Sequence, residues 1–350
     1  MNRINALNPA DRIDALIDAV QICADIKQTC ILHPAAEQLA DGGNVLGALA
    51  EIYGAARVRP GSTSPTAAFA AGLSSNEFAA VLTNVARRVI LARLAEHSAH
   101  RLFCAPHELP NFLSHDFPQV DSDNVLEEIT ENQEPLEDLN VIAAEGLQAR
   151  VRSFGKNLYI SRQVIRNDDI GLIAAFLANY GSAAARLEAQ LVYALLESNP
   201  VLGDQMAMFH ADHGNLGTVG ALSLASVSEG TAALQNMLTP SGEKAALKAA
   251  FMIVSPVHEL SAKTILKSAG SESIQVIPAP WISPTGWYMT CAPAAAQTIA
   301  LLHLKGSAGG VMVGKARNKI DTDGVRLGVR FDTGVVAVGR VGIFKGRIPE

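Results

Sequence analysis

Two histidines and an aspartate lie within four consecutive positions of the segment FHADHGN, residues 209–215. Imidazole and carboxylate groups are common ligands of zinc, iron and manganese, so His210, Asp212 and His213 are candidate ligands of a metal-dependent hydrolase. A catalytic metal also needs a ligand from elsewhere and a general base, and His258-Glu259 lacks the H-E-x-x-H spacing. The sequence therefore favours the alternative, a polar turn whose histidines bind backbone groups.

Two further segments approach catalytic motifs without completing them. GGVMVGKA, residues 309–316, is close to the phosphate-binding loop GxxxxGK[ST], but Ala316 replaces the magnesium-binding hydroxyl. Ser241 and Lys244 have the S-x-x-K spacing of serine acyl-enzymes, but no K-T-G motif accompanies them. We read residues 239–241 as the start of a helix in an alanine-rich run. Because no nucleophile, base and acid can be assembled, we predict no catalytic, cofactor-binding or metal-binding residues and no enzyme activity.

The composition argues against a disordered chain, a DNA-binding protein and a disulfide-rich protein. Of the 350 residues, 49% are apolar and 18% are charged, which is enough apolar material to bury a core. The net charge is −6 and no Lys/Arg-rich run occurs, whereas a DNA-binding protein normally carries a basic stripe. The cysteines form no CxxC pair, which favours a reducing compartment. They are Cys23, Cys30, Cys104 and Cys291.

Neither a secretory signal nor a membrane span is predicted. The first residues alternate charged and apolar side chains, unlike a signal peptide. Residues 273–304 carry no formal charge, but Pro278, Pro280, Pro284 and Pro293 interrupt them. A spanning helix needs about 20 apolar residues in one run, so we expect a buried, irregular segment.

The elements that would position these segments begin with helices. Asn8-Pro9 predicts a helix start, and 35–53 predicts a second helix. Small residues at 59–72 indicate a linker or an arm. Ser74 and Glu77 fit a capping box that opens a third helix.

A long excursion is predicted at residues 112–163. Its middle, Glu127–Asn140, is acidic, and strand-like segments flank it, of which Ala149–Gln163 is the clearer. So long a loop in a compact domain usually contacts something else.

The strongest predicted element is a helix over residues 168–198, capped by Asn167, Asp168 and Asp169 and stopped at Pro200. One apolar stripe follows a spacing of three and four. It comprises Ile173, Leu177, Tyr180, Ala184, Leu187, Leu191 and Ala194. The opposite side carries Ser182, Arg186, Gln190 and Glu197.

Mixed α/β structure is predicted after this helix. The periodicity predicts helices at 226–238 and 256–267, and strands at 250–254, 273–277, 286–291 and within 324–346.

Three ordered blocks resemble a known family. They are ISRQVIRNDDIG at 160–171, the helix ending AARLEAQLVYALLESNP, and MFHADHGNL at 208–216, and the strand VRFDTG at 329–334 accompanies them. These blocks resemble the major capsid proteins of tailed bacteriophages, in the Mu-like, protease-associated group with the Hong Kong-ninety-seven-type fold. The resemblance covers roughly residues 73–345.

The resemblance implies an α+β fold with six segments. Residues 1–60 would be a helical, scaffolding-like segment, 61–111 an N-terminal arm and first helix, and 112–163 the extended loop. Residues 164–203 would form the peripheral domain with its spine helix, 204–326 the axial domain, and 327–350 the return strands of the peripheral domain.

The resemblance also implies a structural role. The chain would assemble with itself into hexamers and pentamers of an icosahedral virion head, made in the host cytoplasm. It would enclose DNA without sequence-specific binding and without a membrane, and its partners would include a portal, a scaffolding protein or a maturation protease. Two alternatives stay open: the hydrolase at His210, Asp212 and His213, and an encapsulin-like nanocompartment shell.

Overall fold

The structure is a computed structural model that describes residues 76–122, 141–167, 170–307, 309–316 and 324–349, with a few isolated positions before residue 37. Several predicted features lie outside the described residues: the helices within 1–60, the arm at 61–72, the start of the capping box at Ser74, the acidic segment 127–140, and the caps Asp168 and Asp169.

Helices and strands alternate irregularly, which confirms the α+β class. The helices are α1 (Asn76–Glu96), α2 (Arg162–Arg166), α3 (Ile170–Ser198), α4 (Leu224–Asn236) and α5 (Glu259–Ser268). Short 3-10 helices lie at Ala99–Leu102, Ala211–His213 and Pro256–His258. The strands are β1 (Ala105–Leu109), β2 (His115–Ser122), β3 (Val141–Ala149), β4 (Arg152–Ser161), β5 (Leu216–Val219), β6 (Phe251–Val254), β7 (Gln275–Pro278), β8 (Gly286–Thr290), β9 (Ile299–Leu304), β10 (Val311–Lys315), β11 (Gly324–Ala337) and β12 (Ile343–Arg347).

The chain divides into two compact units. Unit 1 comprises Met1–His97, Ser153–Arg186 and Gly306–Asp332. Unit 2 comprises Ser98–Arg152, Leu187–Lys305 and Thr333–Glu350. The six segment boundaries implied by the resemblance stay predictions.

Unit 1 is built on the crossing of α1 with the first half of α3. Gly181 of α3 lies against α1 so closely that a Cβ there would be 2.6 Å from the carbonyl oxygen of Ile90. Beside the helices, β11 pairs with β4 and, antiparallel, with β10. Tyr180 of α3 donates a hydrogen bond to the Val329 carbonyl of β11 at 3.0 Å. Backbone contact at Gly181 and this bond therefore anchor α3 within the unit.

Unit 2 contains two sheets and the larger core. In one, β1 runs parallel to β9, and β9 runs antiparallel to the second half of β11. The other has the order β5-β12-β8-β6-β7. Trp287 and Phe344, both fully buried, pack together between this sheet and α4.

The apolar stripe predicted for α3 is correct in its first half and wrong in its second. Ile173, Leu177 and Ala184 are buried, but Leu187 and Leu191 are only half-buried and Ala194 is exposed. The buried positions in the second half are Ala185, Glu188, Ala189, Val192, Tyr193 and Leu196. The predicted stripe repeats every 3.5 residues, and a straight helix turns every 3.6, so the two drift apart by about 20° per heptad.

The other strands and helices that were predicted agree with the structure within a few residues, with three corrections. The strand predicted at Ala149–Gln163 is present as β4 (Arg152–Ser161), but it pairs with β11, and the strand that pairs with β2 in the excursion is β3. The charge-free stretch is more regular than expected, since it also contains β9. No helix follows Ser241, because the chain there forms a turn and then passes to β6.

None of the helices among the described residues has the length and apolar character that crossing a membrane requires.

Candidate functional site

The segment FHADHGN forms a tight polar turn in unit 2. His210 caps the 3-10 helix Ala211–His213, and its Nδ1 accepts a hydrogen bond from the Asp212 amide at 3.2 Å. Gly214 closes the turn in the left-handed region, at φ 64°, which glycine adopts without steric cost. The local sequence therefore folds as a polar turn that glycine closes.

Two asparagines hold the backbone on either side of this turn. Asn215 is fully buried; its amide donates to the Met208 carbonyl at 2.7 Å and its Oδ1 accepts from the His210 amide at 3.1 Å. Asn199 clamps Phe209 in the same way, with bonds of 2.7 and 3.2 Å to its amide and carbonyl. These side chains satisfy backbone groups that would otherwise be buried without partners.

His213 is directed at protein oxygens. Its ring is 2% exposed, with Nε2 at 2.8 Å from Asp204 Oδ2 and Nδ1 at 3.3 Å from the Met208 carbonyl. Arg340 also approaches Asp204, at 3.9 Å. A ligating nitrogen must present a lone pair, and here each ring nitrogen already faces an oxygen acceptor.

The other candidate ligands do not complete a metal site. His210 and Asp212 are near each other, at 3.3 Å, but both are exposed. Among the described residues, no group of three His, Cys, Asp or Glu could hold a metal ion. His258 Nε2 donates to the Pro284 carbonyl, 2.9 Å away, and Glu259 pairs with Lys263 at 2.5 Å.

Phe209 joins the turn to the core through an aromatic and cationic cluster. Its ring centroid is 5.4 Å from that of Tyr288, and Lys345 Nζ lies 5.5 Å and 5.3 Å from the two centroids. Tyr288 donates to Glu197 at 2.7 Å. Burial lowers the pKa of Lys345, and the charge of Glu197 acts in the opposite direction. Burial, followed by the bond to Glu197, raises the pKa of Tyr288.

The two near-motifs have no catalytic geometry. The glycines at 309 and 310 form a turn that leads into strand β10, whereas a phosphate-binding loop leads into a helix. The Ser241 hydroxyl is bonded to Thr239 Oγ1 at 2.7 Å, and Lys244 is in a β-bridge with Leu238.

A buried carboxylate that sequence reasoning did not identify lies at the centre of unit 2. Glu188 of α3 is 0% exposed. Its Oε2 contacts His100 Nε2 at 2.8 Å and Arg101 Nε at 2.6 Å. Its Oε1 contacts His303 Nε2 at 2.8 Å, Arg101 at 3.0 Å and Thr333 Oγ1 at 3.3 Å. We call these five residues the Glu188 cluster.

The Glu188 cluster is chemically saturated. Because a carboxylate only accepts, both histidines donate to it through Nε2. Five donors fill the roughly four lone-pair sites that a carboxylate offers, so no site is left for a metal or a substrate. Burial would raise the pKa of Glu188, but hydrogen bonds from His100, His303 and Arg101 outweigh it and hold the pKa well below its usual value. The cluster joins α3 to the 3-10 helix at 99–102, β9 and β11.

The predicted excursion contains a two-stranded ribbon. β2 and β3 pair antiparallel, from His115 opposite Ala149 to Ser122 opposite Val141, with an irregularity after Phe117. Before the ribbon, Asn111 Oδ1 accepts from the Leu113 amide at 3.0 Å and contacts His115 at 2.8 Å. Leu113 is 70% exposed as a result. The ribbon therefore starts from a fixed turn that presents an apolar side chain to solvent.

These features are those of a structural protein whose polar side chains bind its own backbone. Residues 144–346 match a family model described as "Phage capsid protein". The match spans more than half of the chain, so the chain belongs to the phage capsid protein family and is a subunit of a capsid shell, a component of the virion. The interpretation as a phage major capsid protein is confirmed.

Solved structures of shell proteins are similar to this chain. One is the SrpI encapsulin complex of Synechococcus elongatus, with 10% identity, a TM-score of 0.48, and coverage of 74% of this chain and 88% of that one. Another is the capsid of cyanophage P-SCSP1u, with 9% identity, a TM-score of 0.48, and coverage of 72% of this chain and 88% of that one. A third is the procapsid of bacteriophage JBD30, with 14% identity, a TM-score of 0.46, and coverage of 79% and 77%. No curated protein matches the chain.

Proposed function

We propose that this capsid subunit assembles through its excursion, with each ribbon and the segment it carries lying on a neighbouring subunit. The subunits would form the hexamers and pentamers of an icosahedral head, assembled in the host cytoplasm and enclosing DNA without sequence-specific contacts. In this proposal the subunit has a structural role and no enzyme activity.

The ribbon formed by β2 and β3 is the observation that carries the proposal. Within the described part of the chain, β2 and β3 pair only with each other. Phe117, Leu147 and Ala149 at the base pack against the core residues Leu109 and Val151. Eight residues of β2 at about 3.3 Å each extend roughly 26 Å. An isolated two-stranded ribbon is marginally stable in water, so contact with a second subunit would stabilise it.

Finer roles follow from the resemblance described above. Unit 1 contains the first part of α3 and would correspond mainly to the peripheral domain, and most of 204–326 lies in unit 2 and would be the axial domain. Membership of the Mu-like, protease-associated group would supply a maturation protease and a scaffolding function, with a portal at one vertex.

The family match favours a phage capsid over the two alternatives. A nanocompartment shell would be encoded beside a cargo enzyme, whereas a capsid gene lies beside portal and packaging genes. A hydrolase at His210, Asp212 and His213 would need a metal that those side chains, as oriented, do not face.

Deletion of residues 125–142 tests the role of the excursion. We expect the variant to remain folded, because the cores of both units lie elsewhere, and to form no stable shells. The measurements are circular dichroism with thermal melting for folding, and sedimentation with electron microscopy for assembly. A full-length variant with Glu127, Glu128 and Glu131 changed to Gln is the control for loss of charge without loss of length.

Normal particles from the deletion variant would overturn the assignment of the excursion to assembly. An unfolded deletion variant would overturn the expectation that both units fold independently of it.

A further inference from the structure

The second half of α3 has an apolar face that the subunit leaves partly uncovered. Leu187 and Leu191 are half-buried and Ala194 is exposed, although the apolar spacing of the sequence predicts all three as buried. The core of unit 2 takes the neighbouring face of the helix instead, with Val192 and Leu196. This part of α3 therefore carries two apolar faces, and one of them is only partly covered within the described chain.

The partly covered face borders an open groove. The groove has a volume of about 450 Å³, and all of the residues that line it belong to unit 2. Its lining includes Leu191, Ala194, Leu195 and Ser198, which lie at the spacing of one helix face. These residues span about two helical turns, or roughly 10 Å. We call this groove the α3 groove.

Two arginines also line the α3 groove. Arg150 and Arg152 are both exposed, and Val151 between them is buried beside Leu109. The chain is fixed at this point, because Gly334 of β11 lies so close to it that a Cβ there would be 2.6 Å from the Arg150 carbonyl oxygen. A rigid backbone therefore presents the two cations, which lowers the entropy cost of binding a partner.

No acid in the groove neutralises these arginines. None of the described residues that line the groove is acidic, and neither arginine forms an ion pair with a described residue. Asp116, opposite Gln148 in the ribbon, is exposed and does not line the groove. Thr333, which does line it, already contacts Glu188. The α3 groove thus combines an apolar helix face with two cations that are free to pair.

An exposed apolar turn adjoins the groove in the chain. Ser114 lines the groove and follows Phe112 and Leu113, which are 46% and 70% exposed. Asn111 holds this turn by accepting a hydrogen bond from the Leu113 amide. A partner seated in the groove would therefore meet further apolar surface next to Ser114.

An acidic amphipathic helix matches these features. Its apolar stripe would pack on Leu191 and Leu195 as two helices pack in a groove, and the small side chain of Ala194 lets the two backbones approach. Two residues of extended chain span at most about 7 Å. Carboxylates at positions i and i+4 of a helix are about 6 Å apart along its axis. Arg150 and Arg152 can therefore each pair with one carboxylate of such a helix.

The described helices of a second copy do not supply this acidic surface. Each acidic side chain described on them is already bonded to a group of its own subunit. These residues are Glu96, Glu188, Glu197, Glu229 and Glu259. The groove therefore suits a separate partner better than a described helix of a second copy.

We propose that the α3 groove is the docking site for an acidic amphipathic helix of a partner protein that takes part in shell assembly. The inference rests on the proposed function, because it assigns a surface of the subunit to the scaffolding partner. The contact is short, so a single helix binds weakly and the many subunits of a shell supply avidity.

Titration of full-length, unassembled subunits with a designed peptide tests the groove. The peptide is about 18 residues long, enough to form a helix, with leucines on one face, glutamates on the other and a fluorescein label. Fluorescence anisotropy should show saturable binding, at least tenfold tighter than that of the same peptide with lysines in place of the glutamates. The difference should shrink with added salt, because the screening length falls from about 10 Å at 0.1 M to 3 Å at 1 M.

Variants of the subunit locate the contact. Arg150→Gln combined with Arg152→Gln should weaken the binding of the acidic peptide at least tenfold. Lys248→Gln, at an exposed position in unit 2, should leave the binding unchanged. A benzoylphenylalanine in place of one leucine of the peptide should crosslink, on irradiation, to residues that line the α3 groove. Melting curves check that each variant is folded.

Several results would overturn the inference, the first being an absence of saturable binding. Equal binding of the glutamate and lysine peptides would mean that the arginines take no part. Crosslinks outside the groove would place the peptide on another surface. Displacement by a peptide of residues 8–29 would make the chain's own N-terminal segment the occupant, and displacement by duplex DNA would make the groove a phosphate site. If the acidic peptide does not bind while the 125–142 deletion still prevents shell formation, the proposed function stands and this inference fails.

Discussion

Removal of the Glu188 carboxylate is the sharpest test of how unit 2 is held together. In Glu188→Ala, the guanidinium of Arg101 and the buried rings of His100 and His303 all lose their acceptor. The side chains of Arg101, His100 and His303 are 28%, 1% and 8% exposed, respectively. Water can therefore replace only part of the hydrogen bonds that these side chains lose. Breaking a buried ion pair by removing one partner costs about 3–5 kcal/mol. For a unit of this size, that corresponds to a fall in melting temperature of roughly 6–20 °C.

The matched control is Glu197→Gln on the same helix. Among the described residues, Glu197 accepts one side-chain hydrogen bond, from Tyr288 at 2.7 Å, and its change should cost only about 1 kcal/mol. The assay is thermal melting of unassembled subunits followed by circular dichroism. If Glu188→Ala melts within 2 °C of the wild type while remaining cooperative, the Glu188 cluster does not stabilise the fold and the reasoning is wrong.

The pH dependence gives a second, independent measure of the same cluster. The pKa of Glu188 is lower in the folded chain than the usual value of about 4.3. Ionised Glu188 therefore stabilises the fold above about pH 4.3, and this contribution is lost as the pH falls further toward the folded-state pKa. The difference in unfolding free energy between the wild type and Glu188→Gln should shrink below that pH. A difference that is constant down to pH 3 would contradict the assignment.

Three further predictions concern helix packing and the polar turn. Leu196→Ala, at a fully buried position, should lower the free energy of unfolding by about 2–5 kcal/mol. Gln190→Ala, on the exposed side, should leave the melting temperature almost unchanged. Equal losses of stability in the two variants would mean that the buried face of α3 is wrongly assigned. Gly181→Ala should destabilise the fold by about 1–3 kcal/mol, because the new Cβ would lie 2.6 Å from the Ile90 carbonyl oxygen. A melting temperature equal to that of the wild type would refute this prediction. Elemental analysis of the purified protein should find no stoichiometric metal; one zinc or iron per chain that disappears in His213→Ala would restore the hydrolase interpretation.

The elements with strong local patterns could be predicted from the sequence. Along β11, Val325, Leu327 and Val329 are buried while the residues between them are half-buried, and this alternation is visible in the sequence. The cap at Ser223 and the helix that follows it depend on neighbouring residues in the same way. Such features are local, so a single sequence contains them.

Tertiary contacts decided the features that were missed. The run after Ser241 is rich in alanine and favours a helix, but Ala246 has φ 47° and the Ala245 amide bonds to Met237. The strand predicted at 149–163 pairs with β11, which is distant in the sequence, and not with the other flank of the excursion. Helix and strand propensities of a few tenths of a kcal/mol are easily overridden by such burial.

The Glu188 cluster shows most clearly what a linear pattern omits. From the sequence alone, a glutamate in an amphipathic helix is expected to lie at the surface. The residues that contact Glu188 are also distant from it in the sequence. One signal was available: Glu188 lies four residues from both Ala184 and Val192, on the line of the buried face. A helix period of 3.6 instead of 3.5 would have placed it there.

The distances along the chain within the Glu188 cluster bear on when the subunit becomes able to assemble. Residues 188 and 100 are 88 positions apart, and 188 and 333 are 145 apart. At a synthesis rate of about 5–20 residues per second, roughly 12–47 seconds separate the emergence of His100 and Thr333 from the ribosome. β12 joins β5 to β8 and emerges later still. A nascent subunit thus lacks both the cluster and the middle of its second sheet when the residues of the excursion have already been synthesised.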